Sequence, residues 1–410
     1  MAVNPYVNKV EYGGNTIIDL TDATATADKI LSGYTAYGAT GEKLTGTASG
    51  GGVTTTALSV TTNGTYTAPA GTAYTPVTVN VSGGGSIIPS SLPAGKAVIV
   101  GYNIPADAPE VCKTITLFFT HDSSATISEV DWGDNTTPTT TTGSGRKTLT
   151  HTYIDTGGHI AAVAVSGGTI TIGGNSSRGI GGKLSYVQNL IKWAVVNTGV
   201  SLLDTYSFGY CTNMEEIRLS GSSFTKINAS AFESCINLKE LIIPNTVTEI
   251  GNYIARYCAS LLKVSLPTNA NFTSIPNSAF NDCYLLTDIT IPSSVTTLNS
   301  NSFINCVGLK DIVIPNNVTA IPSGCFNTCR NLKNVVVPSN ITSIGGLAFA
   351  YNTGLCKLRF NRTTPPTVDA STAFSTLPTT CVISVPMGCL SAYTSAANYP
   401  SSSTYTYIEE

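Results

Sequence analysis

The sequence predicts a mainly β protein whose larger part is a solenoid of short stacked strands. A fixed period is the first observation, because six cysteines recur at steps of 24, 23, 25, 23 and 23 residues: Cys211, Cys235, Cys258, Cys283, Cys306 and Cys329. An apolar-x-apolar triplet follows each cysteine, as in Leu241-Ile242-Ile243, and this period of two is typical of a strand. Only 11% of residues are charged, while Thr, Ser and Gly abound, which favours a turn-rich β protein.

Most repeats also carry Phe before the cysteine and Pro after the strand, as in 232–250 and 303–321. One such strand cannot bury its apolar side alone, so copies are expected to stack about 4.8 Å apart. Proline ends each strand because it has no N–H to donate. The helical spacing of F-x-x-C predicts a short helical return. The cysteines are predicted to form a reduced, buried ladder, and no C-x-x-C pair indicates zinc.

The pattern F-x-x-C-x-x-L-x-x-I-x-I-P-x-x-V-x-x-I resembles the BspA-like leucine-rich repeats of bacterial surface adhesins and some phage proteins. The resemblance spans roughly half of the chain and implies a leucine-rich-repeat solenoid. The sequence departs from the pattern at four positions: Ala255 for Phe, Ser220 and Asn361 for Pro, and Asn352 for Cys. A fixed period in the range of 20 to 29 residues supports the same fold.

The N-terminal part divides into an attachment segment, 1–49, and a small β module with Gly-rich linkers, 50–96. Residues 7–20 predict a hairpin, and 26–33 predict a helical turn. The block V-x-Y-G-G-N-x-I-I-D-L-T resembles the N-terminal segment of tail-associated structural proteins of phages infecting Gram-positive bacteria. This resemblance implies docking to phage tail or baseplate proteins. The module at 58–81 is too small to be stable alone, so a homo-oligomer such as a trimer is expected.

Residues 97–175 predict a β-sandwich, with strands at 98–102, 114–120, 127–132, 147–153 and 160–165. Asp131-Trp-Gly-Asp134 and His151-Thr-Tyr153 resemble the W-G-D-G and H-T-Y motifs of PKD-type domains, although Asn135 and His159 depart from them. That resemblance implies a spacer. Asp131, Asp134 and His151 could bind a metal. We favour the interpretation that the aspartates fix a tight turn and His151 bonds backbone, so no metal or cofactor is expected.

The repeat array is assigned to 176–386 and a C-terminal cap to 387–410. The first strand of the array is expected at 190–195, with Trp193 packing near the sandwich. Residues 385–399 are compatible with a helix, and Ile408 ends a short strand. This ending resembles the V-P-x-x-x-L-x-x-Y segment common in the same repeat family. A solenoid needs such a cap over its last turn.

Two positions of each repeat, five and seven residues after the cysteine, are predicted to point outward from the strands. They form the candidate ligand-binding face: Glu216, Arg218, Glu240, Ile242, Lys263, Ser265, Asp288, Thr290, Asp311, Val313, Asn334, Val336, Lys357 and Arg359. An apolar centre with charged flanks suits a protein or glycan ligand. Ordinary solvated surface is the alternative. A rival patch on the opposite side would comprise Tyr210, Tyr257 and Tyr351.

Catalysis is not expected. Glu216, Glu240, Asp288 and Asp311 share a repeat position with lysines, which indicates a solvated surface rather than the facing carboxylate pair of a glycosidase. The three histidines lie in 97–175, and no Gly-rich phosphate loop is present. A net charge of −3 argues against nucleic acid and electrostatic membrane docking. No run of 18 apolar residues predicts a membrane span.

The hypothesis is therefore a non-enzymatic phage tail-associated adhesin or receptor-binding protein, located in the virion. It would contact a bacterial surface protein or glycan through the solenoid. The sequence begins without an export signal, which favours a phage particle over a secreted protein. A bacterial cell-surface adhesin is the alternative. A tail-associated glycan hydrolase is a third hypothesis, which the lack of a carboxylate pair disfavours.

Overall fold

The computed structural model describes residues 86–108, 113–122, 127–173, 180, 190–220 and 224–410, together with the backbone of six short strands before residue 86. The chain forms two compact units, Met1–Pro89 and Ser90–Glu410. Among the described residues, no helix is long and apolar enough to cross a membrane.

The described strands of the first unit form three antiparallel hairpins. Strand β1 (Lys9–Tyr12) pairs with β2 (Asn15–Asp19), β3 (Thr35–Tyr37) with β4 (Lys43–Thr45), and β5 (Gly64–Tyr66) with β6 (Val77–Val79). The predicted hairpin at 7–20 is confirmed, and β5 and β6 lie within the predicted β module at 58–81. The predicted helical turn at 26–33 and the Gly-rich linkers lie outside the described residues.

The second unit begins with strands that run mostly antiparallel. They are β7 (Val98–Ile104), β8 (Thr114–His121), β9 (Ile127–Asp131), β10 (Thr139–Thr142), β11 (Gly145–Thr152), β12 (Gly157–Ser166) and β13 (Ile170–Ile172). Five of them lie where the sequence predicts strands, and β10 and β13 were missed. Buried side chains from both of their sheets form one core.

Two six-stranded sheets pass from this antiparallel part into the repeats. Strands β14 (Ile191–Val196) and β16 (Glu216–Leu219) extend one sheet, in the order β10-β9-β12-β7-β14-β16. The other sheet, β11-β8-β13-β15-β17-β19, takes in β15 (Val200–Leu203), β17 (Lys226–Ile227) and β19 (Glu249–Ile250). Pairing changes from antiparallel to parallel at β14 in the first sheet and at β13 in the second. The core therefore continues from the first strands into the array.

Trp193 is buried where the antiparallel strands meet the repeats. It lies on β14, which pairs with β7, and is only 7% exposed. A Cβ added to Gly101 would lie 2.1 Å from the Trp193 ring, so only glycine lets the indole cover the β7 backbone. The predicted packing of Trp193 against the preceding strands is confirmed.

Each repeat contains two short strands rather than the one that the sequence predicts. The first set continues from β16 through β18 (Glu240–Ile242), β20 (Lys263–Ser265), β22 (Asp288–Ile289), β24 (Asp311–Val313), β26 (Asn334–Val337), β28 (Lys357–Phe360), β30 (Val382–Val385) and β31 (Thr406–Glu409). The second set continues from β19 through β21 (Ser274–Ile275), β23 (Thr297–Leu298), β25 (Ala320–Ile321), β27 (Ser343–Ile344) and β29 (Thr367–Val368). Described pairs within both sets are parallel.

The F-x-x-C return is a series of tight turns instead of a continuous helix. In one repeat, Cys235 N donates to Phe232 O at 3.2 Å, while Ser230 and Ser234 have φ of 57° and 61°. These left-handed residues break the helical run. They let alternate amides reach the next repeat, as when Phe232 N donates to Ile254 O at 2.9 Å. The returns thus form a third hydrogen-bonded side of the solenoid.

The interior of the array is a ladder of thiols and phenyl rings. Five cysteine thiols each donate to a carbonyl one repeat back, at 3.1 or 3.2 Å: Cys235 to Phe208, Cys258 to Phe232, Cys283 to Ala255, Cys306 to Phe280 and Cys329 to Phe303. Burial raises the pKa of Cys329 to about 12, which keeps its thiol protonated. The described cysteines are all free, and the predicted buried ladder of reduced thiols is confirmed.

The C-terminal residues close the array. Helix α1 (Leu390–Thr394) follows a 3-10 helix at Ser371–Phe374, and β31 pairs with β30 as the last strand. Phe360 packs against Tyr393 at 5.2 Å and Tyr399 at 5.6 Å between ring centroids. Tyr393 also donates its hydroxyl to the Arg362 carbonyl at 2.6 Å. The predicted helix and terminal strand are both present, and Tyr399 packs against both Phe360 and Phe374, the last ring of the stacked series.

Candidate ligand-binding face

The outward positions of the first strand set lie in register from repeat to repeat. Asp311 pairs with Asn334 and then Lys357, and the neighbouring column runs from Val313 to Val336 to Arg359. The residues between them in each strand are buried, because side chains alternate across a strand. Within each described pair of strands the two positions therefore project from the same side, and we call the fourteen predicted residues at these positions the strand face.

An apolar strip lies near the middle of the strand face. Ile242 is 51% exposed, Val313 76% and Val336 45%. Val313 and Val336 are direct neighbours across paired strands. Ile242 lies three repeats before Val313, roughly 14 Å away at the usual strand spacing. Ser265 and Thr290 fill the positions between them. Exposed β-branched side chains in one column can pack against an apolar partner without first unfolding anything.

Ion pairs neutralise charged residues on both sides of Asp288 and Asp311 in the strand face. Lys263 contacts Glu240 at 3.0 Å, and this hydrogen bond raises the pKa of the lysine. At the far end, Glu410 contacts Lys357 at 2.6 Å and Arg359 at 3.8 Å. The hydrogen bond from Lys357 lowers the pKa of Glu410. Sequence reasoning missed Glu410 because it lies outside the repeat frame.

The middle of the strand face keeps two acidic groups. Asp288 and Asp311 are exposed and occur in no ion pair of the described residues. They border the strip at Thr290 and Val313. The face therefore combines an apolar centre with local negative charge, which is complementary to a partner that carries apolar and basic side chains.

Asp131, Asp134 and His151 of the antiparallel part were considered as possible metal ligands. Among the described residues, no group of three or more His, Cys, Asp or Glu side chains is placed to hold a metal ion. Asp131 accepts from Gly133 N at 3.0 Å, and Asp134 accepts from Thr136 N at 3.1 Å, which confirms that the aspartates fix a turn. The predicted backbone bond of His151 is wrong: its Nε2 lies 2.6 Å from the Asp134 carboxylate.

Tyrosines occupy the turn side of the array. Tyr210, Tyr257 and Tyr351 all have left-handed backbones with φ between 59° and 64°, and Tyr257 and Tyr351 are exposed. Arg256 stacks over Tyr253 at 4.3 Å and Tyr257 at 4.9 Å. Tyr210, Tyr257 and Tyr351 therefore occupy equivalent positions in their repeats, as predicted for the rival patch.

A buried carboxylate holds Arg256 in place. Glu233 is 1% exposed, and its Oε1 accepts from both Nε and Nη2 of Arg256, at 3.1 and 2.5 Å. Glu233 and Arg256 occupy the same repeat position, two residues before successive cysteines. Opposite charges at one position of adjacent repeats were the signal that sequence reasoning overlooked.

The repeat array matches a known family. The family described as BspA type Leucine rich repeat region matches residues 182–272 and 256–375, in six copies. Over these residues the chain is similar to that family. The match lies in the part of the chain from which the BspA-like resemblance was inferred.

Several solved structures are similar to part of the chain. The T. pallidum Leucine Rich Repeat protein is 24% identical, with 46% of this chain and 82% of that chain covered and a TM-score of 0.36. A leucine rich cell surface protein from Faecalibacterium prausnitzii is 24% identical, with 50% and 62% covered and a TM-score of 0.33. The pneumococcal vaccine antigen PcpA is 16% identical, with 54% and 68% covered and a TM-score of 0.35. No curated protein matches the sequence.

Proposed function

We propose that the chain is a non-enzymatic binding protein that attaches to a bacterial surface protein through the strand face. The observation that carries the proposal is the pair of exposed neighbours Val313 and Val336, with exposed Ile242 at the same repeat position. Beside them lie the carboxylates of Asp288 and Asp311, which have no ion-pair partner among the described residues. BspA-type repeats provide a rigid array on which such a strip can be displayed. A surface protein with exposed apolar and basic side chains is the partner that this chemistry fits.

The setting we propose is a phage tail. The N-terminal block resembles tail-associated structural proteins, and its hairpins would dock the chain to tail or baseplate proteins. The PKD-like part would then act as a spacer, and its sheets continue directly into the array. In this arrangement the virion presents the strand face to the host cell.

The test is binding of the purified chain to host cells after Ile242→Asp with Val313→Asp. Two charges in the apolar strip should weaken cell binding at least tenfold, because burying an unpaired carboxylate against an apolar partner is unfavourable. The matched control is Ile154→Asp with Leu285→Asp, which changes two other exposed apolar residues outside the strand face. Circular dichroism should show that both variants fold. Unchanged binding by the strand-face variant would contradict the proposal.

The second candidate is a bacterial cell-surface adhesin, favoured by the match to BspA-type repeats, which resemble those of bacterial adhesins. Antibody labelling of purified virions and of bacteria without phage separates the two settings. Labelled virion tails support the phage protein, whereas labelled bacterial surfaces support the adhesin. The strand-face variant tests the binding surface in either setting.

A further inference from the structure

A polar groove lies on the side of the array formed by the second strand set. Its volume is about 810 Å³, and its lining spans several repeats, with Asn228, Asn252, Asn277 and Asn299 among the residues that form it. We call it the amide groove. Its position on the second strand set separates it from the strand face, whose residues lie on the first set.

The walls of the amide groove come from one region of the repeat frame. Asn252 and Asn277 both lie six residues before a cysteine of adjacent repeats. In later repeats the same position holds Ser300, Ser323 and Gly346, so the amides are confined to one part of the array. This departure from the period is informative, because the core requires no amide at that position.

The floor of the amide groove is backbone packed against backbone. A Cβ added to Gly251 would lie 2.3 Å from Ala229 N, so the glycine permits this close approach. Asn299 is fixed by its Nδ2, which donates to Ser274 Oγ at 3.0 Å and to Ile275 O at 2.8 Å. The groove is therefore a shaped surface with side chains held in position.

Two of the amides keep hydrogen-bonding capacity for a ligand. Asn252 Oδ1 accepts from Asn277 N at 3.1 Å, which leaves the Nδ2 group of Asn252 without a partner among the described residues. The Asn277 side chain likewise has no partner in the part of the chain that the structure describes. A side-chain amide both donates and accepts, so it matches a hydroxyl group, which does the same.

The charge in the amide groove cancels. Lys226 and Glu249, the charged residues among its described lining, contact each other at 2.7 Å. No net positive charge is available to attract a phosphate or sulfate, which distinguishes this groove from an anion site. The lining also lacks the large apolar walls that a hydrophobic ligand requires.

We propose that the amide groove binds a neutral glycan. Amides and hydroxyls along adjacent repeats would bond successive sugar hydroxyls. Tyr253 directly follows Asn252, and its N–H donates to Asn277 O at 3.0 Å. This site does not depend on the strand face.

Isothermal titration of the full chain with maltotetraose, cellotetraose, chitotetraose and dextran tests this proposal. At least one of these neutral probes should bind, and Asn252→Ala with Asn277→Ala should weaken that binding about tenfold or more, as expected for two lost hydrogen bonds. The matched control is Asn103→Ala with Asn316→Ala, two exposed amides outside both the groove and the strand face, which should change affinity less than twofold. The strand-face variant Ile242→Asp with Val313→Asp should also bind the probe normally.

Each other outcome overturns the proposal. Absence of binding to all four probes would contradict the proposal that the groove binds a neutral glycan. Equal losses in the groove and control variants would place the site elsewhere. Tighter binding of polyphosphate than of every neutral probe would show that the groove recognises anions. Because the strand-face variant is tested with the same probes, loss of cell binding alone leaves this proposal standing.

Discussion

The interior of the array and its strand face follow the same period but use it differently. Inside, successive repeats place a thiol or a phenyl ring at the same position, and Phe303 stacks between Phe280 at 5.6 Å and Phe326 at 5.5 Å. On the strand face, no two consecutive repeats carry the same pair of residues. Uniform packing is needed to bury the apolar side of each strand. Variation on the exposed side is where binding specificity can reside.

The largest expected effect comes from breaking the interior. Phe303→Ala removes a fully buried ring from the middle of the stacked series and should lower the free energy of unfolding by about 3–5 kcal/mol. Urea denaturation followed by circular dichroism measures this loss. Val313→Ala on the strand face is the matched control and should stay within about 0.5 kcal/mol of the parent. A loss below about 1 kcal/mol for Phe303→Ala would mean that the ring series contributes little.

Much of the fold could be predicted from the sequence because the period fixes it. The spacing of Cys235 and Cys258 predicted both burial and stacking, and their thiols do occupy equivalent places. The second strand set was missed because strands such as β17, Lys226–Ile227, contain one buried residue and show no alternation. The turns were missed because Ser230 and Ser234 adopt left-handed conformations without being glycine.

The candidate sites were predictable only in part. The two columns of the strand face follow from the repeat spacing, so residues such as Val313 could be assigned to it directly. The sequence does not show which charged residues form ion pairs. Lys263 lies between two acidic neighbours, and only the structure shows that it contacts Glu240. The amide groove was missed because its shape depends on the distances between repeats, as at Gly251, although Asn252 and Asn277 at one repeat position were a signal in the sequence.

A smaller effect is expected from restoring cysteine at residue 352, where the series of buried cysteines is interrupted. Asn352 replaces the repeated cysteine, and among the described residues both of its buried side-chain atoms lack a hydrogen-bond partner. Burying unsatisfied polar atoms is unfavourable, so Asn352→Cys should raise the free energy of unfolding by about 1–2 kcal/mol. Urea denaturation measures the gain. The reciprocal variant Cys306→Asn should destabilise the chain, and stabilisation by that variant would show that the thiol ladder is not the preferred packing.

The smallest expected effect concerns the antiparallel part, where hydrogen bonds to Asp134 fix a turn. Burial would raise the pKa of Asp134, but hydrogen bonds from Thr136 and His151 outweigh it and hold the pKa below 3.8. A carboxyl whose pKa is lowered by folding contributes stability above its unfolded pKa, and this is lost as pH falls through the folded value. Asp134→Asn should therefore be less stable than the parent at pH 6, and the difference should shrink as pH falls below about 4. Thermal unfolding across pH 2.5–6 measures this, with Asp107→Asn as control. A difference between Asp134→Asn and the parent that stays constant over that range would show that the charge on Asp134 does not stabilise the turn.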